Sequence, residues 1–270
     1  MLADRLKVVI ILIPIGVGVI ALGGIPYTIA VVVILGLAAW EYVNLFRKGG
    51  MAPSMALVVS GVVALTLQRA WMGFAGVDIA LSILTLLAIV FHMVAYERGA
   101  EHAATDFGVT LGGILYIGWL GAYLVSLRFL PDGLWWVLLV LPSVWLADGG
   151  AYFIGRRFGR HPLTQRLSPN KTWEGYLGGV VTGMVSGLLL AALWSSRSPA
   201  MTPLRGALVG FILAVETPLG DLGESMLKRQ FGVKDASHLI PGHGGVLDRI
   251  DTWLWAGVIG YYLAIWVWPS

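Results

Sequence analysis

LWWVLLVLPSVWLADGGAYFIGRRFGR, residues 134–160, decides the fold class. Fourteen residues from Leu134 to Ala147 pass without a charge, and they do not alternate polar with apolar as a barrel strand would. The stretch reads as a membrane-spanning helix. Its first ionisable group is Asp148, with Arg156, Arg157 and Arg160 two to three turns further on. Asp148, Tyr152 and Gly155 fall at i, i+4 and i+7, on one helix face. A carboxylate close to the bilayer core costs roughly 3 kcal/mol on insertion scales, so Asp148 is expected to face a cavity. The plainer alternative is a helix that leaves the membrane at Asp148, with snorkelling arginines beyond it.

The rest of the chain supports that class. It has 270 residues, 57% of them hydrophobic, 36 glycines and a formal net charge of +3, with a mean hydropathy of +0.81. These values exclude a soluble domain and a disordered chain, and leave an all-α polytopic integral membrane protein. No cysteine is present, which removes a disulfide framework, a thiol nucleophile and a cysteine zinc site. Nine segments are apolar enough to cross: 8–24, 26–40, 51–67, 77–95, 110–130, 134–154, 176–194, 205–220 and 252–268. Fusing the first two, which only Gly23–Pro26 separates, would leave eight. The first is expected to be a retained span and not a cleaved signal, because no small-x-small site follows it. No charge block or linker divides the chain, so residues 1–270 are expected to form one membrane-embedded domain. Within it, 1–133 would supply amino-terminal helices and 134–270 the chemistry. With nine spans and a cytoplasmic amino terminus, 14 Lys/Arg lie on the cytoplasmic side and 4 on the other.

Asp221–Asp251, DLGESMLKRQFGVKDASHLIPGHGGVLDRID, is the polar centre. It holds five Asp/Glu and four Lys/Arg in 31 residues of a chain that is 12% charged. Asp221, Asp248 and Asp251 are hard oxygen donors suited to a cation such as Mg²⁺. Lys228, Arg229, Lys234 and Arg249 suit phosphate, and Gly242, Gly244 and Gly245 let backbone N–H groups approach an anion. If the preceding helix continues to Arg229, then Asp221, Glu224, Ser225 and Lys228 share a face. Asp248 and Asp251 are one turn apart at the amino end of the last span, where the helix dipole favours anions. Upstream, Glu216-Thr217-Pro218 predicts a kink beside an intramembrane acid. Ser168-Pro169-Asn170 is a turn leading to Lys171 at a helix start, a poor choice for the dipole but a good one for bound phosphate. Glu41 with Arg47–Lys48 reads as an interfacial turn, and Glu97–Asp106 as a solvated loop. His92 reads as a packed helix residue.

Ser225-Met-Leu-Lys228-Arg229, Lys234-Asp235 and Pro241-Gly-His243-Gly244-Gly245-Val-Leu-Asp248-Arg249-Ile-Asp251 resemble the signature of the CDP-diacylglycerol synthases, the phosphatidate cytidylyltransferases. Asp148 to Gly159 and Ser168-Pro-Asn170-Lys171-Thr-Trp-Glu-Gly175 resemble motifs of the same family, so the likeness covers roughly 145–255. The resemblance implies transfer of CMP from CTP to phosphatidate, with release of pyrophosphate. It also implies Mg²⁺, with a second cation such as K⁺, a homodimer, no nucleic-acid partner, and a site facing the cytoplasm of a bacterial inner membrane. On this basis Asp221 and Asp248 are the leading metal ligands and catalytic groups, with Asp251 and Asp148 secondary. Lys171, Lys228, Arg229 and Arg249 would hold phosphates, and His243, Gly244 and Gly245 would line the triphosphate pocket. Ser168, Asn170, Tyr152 and Arg156 complete the substrate-binding set. Two other readings stay open: a CTP-dependent lipid-alcohol kinase, and an ion-coupled transporter with a midplane site on the kinked helix. Asp248→Asn is expected to abolish turnover while the protein still folds and inserts. A Mg²⁺-dependent, active variant in a detergent assay would remove Asp248 from the metal shell.

Overall fold

Continuous apolar segments with no alternation can satisfy their backbone in lipid only as helices, and helices are what the chain forms. The computed structural model describes residues 13–240 and 244–267. Among them there is no named strand, only two isolated bridging pairs, Pro162 with Thr172 and Ile240 with Gly244. The helices are α1 (Ile13–Leu22), α2 (Gly24–Lys48), α3 (Met55–Met72), α4 (Val77–Glu97), α5 (Ala103–Gly113), α6 (Tyr123–Phe129), α7 (Gly133–Phe158), α8 (Trp173–Trp194), α9 (Pro203–Glu216), α10 (Pro218–Gln230) and α11 (Leu247–Tyr262). A π-helical turn, Ile114–Trp119, follows α5, and another, Leu263–Val267, follows α11.

Seven helical runs among the described residues are long and apolar enough to cross a membrane: α2, α3, α4, the run Ala103–Phe129, α7, α8 and the run Pro203–Gln230. The two further spans expected at the chain ends coincide with shorter helices. Of the segment 8–24, residues 8–12 lie outside the described set, and α1 covers 13–22. Of the segment 252–268, residues 252–267 correspond to α11 and the π-helical turn after it, and residue 268 lies outside the described set. The expected break at Pro218 is present. Helix α9 stops at Glu216 and α10 restarts at Pro218, which has no N–H to offer the carbonyl one turn back; at the break the Thr217 N–H and hydroxyl both donate to the Leu213 carbonyl, at 2.9 and 2.6 Å.

The chain forms two compact units, residues 1–126 with 230–250, and 127–229 with 251–270. In the first, Leu65, Leu84 and Ile114 make a packed centre. Arg69, only 3% exposed, places its guanidinium 3.6 Å from the Phe74 ring centroid and 4.8 Å from those of Trp119 and Tyr123. A guanidinium is weakly hydrated, so stacking on ring faces offsets part of its desolvation. His92 is a packed residue as expected, 2.9 Å from the Thr110 hydroxyl. Asp106 is not a solvated loop residue. It is buried and accepts from the Ala52 N–H at 2.7 Å, because the loop after α2 folds onto the first turn of α5.

In the second unit, helix contact is set by glycine. A Cβ on Gly187 would lie 2.2 Å from the Gly206 carbonyl oxygen, and one on Gly210 would lie 2.1 Å from that of Gly183. The spacings Gly183-x3-Gly187 on α8 and Gly206-x3-Gly210 on α9 therefore face each other backbone to backbone. Lipid supplies no hydrophobic drive between helices, so such close approach is how they gain packing energy. Replacing Gly210 with Val forces the two backbones apart, and overpacking of this kind costs about 3 kcal/mol or more. We expect Gly210→Val to lower the melting temperature in detergent sharply, whereas Leu208→Val on an exposed position of α9 leaves it near the parental value.

Candidate active site

The chemistry-bearing residues of the second unit converge because two short segments are fixed against longer helices. The first precedes α8. Thr172 caps α8, its hydroxyl accepting from the Gly175 N–H at 3.2 Å, which satisfies one of the orphan donors of a helix start. The Leu163 N–H donates to the Lys171 carbonyl and the Trp173 N–H to the His161 carbonyl, at 2.7 and 2.9 Å. Ser168 to Lys171 is a hydrogen-bonded turn, with the Lys171 N–H 3.0 Å from the Ser168 carbonyl. The Thr164 hydroxyl accepts from the Ser168 N–H at 3.1 Å. Lys171 is thus held on a braced loop, and its ammonium pairs with the Asp221 carboxylate.

The second segment is α10. At Gly220 a Cβ would lie 2.7 Å from both the Asp251 carbonyl oxygen and the Trp255 ring, so only glycine permits this approach. It brings carboxylate oxygens of Asp221, Glu224 and Asp251 within 4.8 Å of one another. Glu224 is fully buried and Asp251 6% exposed, while the Asp221 side chain is 34% exposed. Lys228, one turn after Glu224, binds its Oε2 through Nζ at 2.5 Å. Asp251 Oδ1 accepts from the Thr252 N–H at 2.7 Å. Asp148 of α7 is close enough to feel the charges of Lys171 and Asp221. Four carboxylates and two ammonium groups therefore share one region, a formal excess of two negative charges.

Such a set suits a hard divalent cation. All the donors are carboxylate oxygens, three of them near enough for one ion to touch, and the excess charge is the sign a cation neutralises. The expected stripe Asp221, Glu224, Ser225, Lys228 lies on α10, with Glu224, Ser225 and Lys228 buried. Glu224 was not among the expected ligands. Its signal was the three-residue spacing from Asp221, but the pairing with Asp251, 27 positions away, is tertiary. Arg229 Nε donates to the Leu167 carbonyl at 3.4 Å, back toward the Lys171 loop. Arg156 donates to the Tyr152 hydroxyl at 3.2 Å on the exposed side of α7, and Asn170 is exposed at the turn.

The remaining expected residues lie in the first unit. Asp248 Oδ2 accepts from the Ala236 and Gly245 N–H groups at 3.0 and 2.8 Å. Gly244 has a φ of 83°, a left-handed conformation in which a side chain would be strained, and its carbonyl accepts from the Ile240 N–H at 2.9 Å. Arg249 is exposed on the first turn of α11. His243 falls outside the described residues. Glu41 is a further residue that reading the sequence missed. Instead of lying at an interfacial turn it is fully buried, and it accepts from the Ser237 hydroxyl and from the N–H groups of Val246 and Leu247. A single acid seven residues before the end of a largely apolar helix was its only trace.

A helical membrane protein with carboxylates and lysines gathered beside a hydrogen-bonded turn has the charges that metal-assisted chemistry on phosphates uses, and comparison with known proteins makes the class specific. The chain belongs to the cytidylyltransferase family, whose model matches residues 3–267. It is a nucleotidyltransferase and an integral membrane protein. Among curated relatives, a phosphatidate cytidylyltransferase of Synechocystis is 32% identical over 92% of this chain and 91% of its own length. One of Mycobacterium leprae is 30% identical over 83% of this chain and 75% of its own. One of Haemophilus influenzae is 46% identical over 44% of this chain and 42% of its own.

Glu224→Gln removes one formal charge from the cluster and leaves Lys228 with a neutral partner. The expected result is a rise of about tenfold in the Mg²⁺ concentration giving half-maximal turnover, with the KM for lipid substrate changing much less. A titration of activity against Mg²⁺ at saturating substrates measures both.

Proposed function

We propose that the chain is a phosphatidate cytidylyltransferase, which converts CTP and phosphatidate to CDP-diacylglycerol and pyrophosphate. The observation that carries this reading is the Asp221–Glu224–Asp251 cluster with Lys171 and Lys228 already paired to it, in a chain of the cytidylyltransferase family. In the reaction an oxygen of the phosphatidate phosphate forms a bond to the α-phosphorus of CTP, while the bond from that phosphorus to the bridging oxygen of the β-phosphate breaks. The electron pair leaves on pyrophosphate. The nucleophile is already an anionic oxygen, so no serine or cysteine relay is required. The burden is electrostatic: two anions must meet, and charge must be stabilised on the departing group.

Asp221, Glu224 and Asp251, with Asp148 beside them, would hold Mg²⁺, and K⁺ is the candidate for a second position. A divalent ion bound there supplies positive charge to phosphate oxygens. Lys171 lies at the partly exposed end of the cluster, its side chain 29% exposed. Its ammonium is placed to exchange the Asp221 carboxylate for a phosphate oxygen of CTP. Lys228 is 10% exposed in its side chain and anchored to a nearly inaccessible Glu224, which fixes a second positive charge in the wall of the site. Ser168, Asn170 and Arg229 flank Lys171 and are assigned to the triphosphate. Tyr152 and Arg156 are assigned to substrate on the α7 side. Asp248 is assigned as a further metal-ligating and catalytic group, Arg249 to phosphate, and the Gly244-Gly245 backbone with His243 to the lining of the triphosphate pocket. The lysine and arginine distribution supports a site on the cytoplasmic side of a bacterial inner membrane, where CTP is present. A homodimer is the assembly that the family resemblance implies.

The test is a detergent assay with phosphatidate, Mg²⁺ and CTP labelled in parallel at the α- or the γ-phosphate. Label from the α-phosphate is expected in a chloroform-soluble CDP-lipid, with γ-label released as pyrophosphate. Transfer of γ-label to lipid would instead establish a lipid kinase. Ion flux in proteoliposomes without CTP turnover would establish a transporter.

A further inference from the structure

Helix α11 begins at Leu247 after Val246, a residue with no side-chain oxygen to cap it. The first N–H groups of a helix have no partner within it, and when buried they must be satisfied from elsewhere. Glu41 of α2 does this. Its Oε1 accepts from the Val246 N–H at 2.9 Å and its Oε2 from the Leu247 N–H at 2.6 Å. Oε1 also accepts from the Ser237 hydroxyl at 2.5 Å. Asp248 takes the neighbouring donors, the N–H groups of Gly245 and Ala236. Two carboxylates, one from α2 and one from α11, thus grip the same two strands of chain, Ala236–Ser237 and Gly245–Leu247. The fit is close. A Cβ on Gly245 would lie 2.6 Å from Glu41 Oε2. Glu41, Gly245, Val246 and Leu247 are all buried, so no water replaces a lost partner without rearrangement.

We infer that Glu41 is a positioning residue for the transferase reaction: it fixes the signature loop, and through that loop the orientation of Asp248. This inference rests on the phosphatidate cytidylyltransferase reading. The carboxylate is needed for chemical reasons. Glutamine keeps the shape but has one acceptor oxygen, so in either orientation its NH₂ must face a backbone N–H, that of Leu247 or that of Val246. At least one of the three bonds then becomes a donor–donor contact. Aspartate keeps both oxygens but is one methylene shorter, and restores the bonds only if the loop moves toward α2. The effect is therefore on where Asp248 sits, and a small misplacement of a reacting group costs rate more than affinity.

The experiment uses the full chain in detergent, with Glu41→Gln, Glu41→Asp and Ser237→Ala compared with the parent. For Glu41→Gln the expected kcat is lower by about tenfold or more, with KM for CTP and for phosphatidate within about threefold of the parent. Amide exchange in peptides covering 236–250 should accelerate about tenfold, while peptides of α7 to α9 stay at parental rates. Glu41→Asp should recover part of both. If Glu41→Gln does not fold, Ser237→Ala decides: it removes one of the three bonds to Glu41 together with the bond that the Ser237 hydroxyl accepts from the Leu239 N–H, so the reading is taken at Gly245–Leu247, where exchange should be faster with kcat lower by about threefold. Parental kcat in a folded variant would overturn the inference. So would kcat lost together with exchange raised in every helix, which marks a general folding role. A parent that makes no CDP-lipid would sink the reaction assignment alone, because the exchange data still report whether Glu41 holds the loop.

Discussion

A charge placed inside an apolar protein has to be answered, and the way each one is answered organises this molecule. In the second unit the answers are ion pairs. Glu224 and Lys228 hold each other almost out of contact with solvent, whereas Lys171 and Asp221 are about a third exposed. The difference has a functional meaning. Separating a buried pair strands an uncompensated charge and costs roughly 3–5 kcal/mol, so the Glu224–Lys228 pair is a fixed part of the wall. A partly exposed pair is screened and worth about 1 kcal/mol or less, so Lys171 can leave Asp221 for a phosphate at small cost. The cluster therefore has a rigid end and an exchangeable end.

Glycine makes the arrangement possible. Helices α8 and α9 touch through Gly183, Gly187, Gly206 and Gly210, and α7 meets α8 through Gly175 and Gly179, where a Cβ would lie 2.8 and 3.0 Å from the carbonyl oxygens of Ala151 and Ala147. Larger residues at these positions would hold the axes apart and carry the Lys171 loop, which hangs between α7 and α8, away from α10. The same logic recurs at Gly220, where α10 lies against the Asp251 backbone. Thus the abundance of glycine, which composition alone presents as flexibility, works in the opposite sense. It gives rigid backbone contact where lipid offers no hydrophobic drive for association.

Much of this was legible in the sequence. The helical membrane class was, because continuous apolar runs fix both helix and membrane, although only seven of the nine expected segments fall in helices long and apolar enough to cross among the described residues. The polar face of α10 was, because Asp221, Glu224, Ser225 and Lys228 follow helical spacing. The Thr217-Pro218 break and the Ser168–Lys171 turn were, because proline and turn chemistry act locally. The family was, because a long string of charged and glycine residues is specific. What escaped depends on distant partners. Glu224 gains its meaning from Asp251, and Asp106 from the Ala52 N–H. Glu41 gains its meaning from N–H groups some two hundred positions later. A carboxylate at the end of an apolar helix looks solvated in one dimension, and only the fold shows which backbone donors arrive there.

The carboxylates of the signature stretch look alike in sequence but differ in what they can exchange. Asp248 is bonded to backbone N–H groups, as Glu41 is, and an N–H fixed in a loop cannot follow a ligand. Such bonds set positions. Asp221 is paired with an ammonium on a flexible stem, which can follow a ligand. Glu224 and Asp251 lie beside Asp221 without its exposure. A single motif therefore supplies both a frame and a movable counter-charge. The two must be separate residues, since one carboxylate cannot hold a loop still and also release its partner to an incoming phosphate.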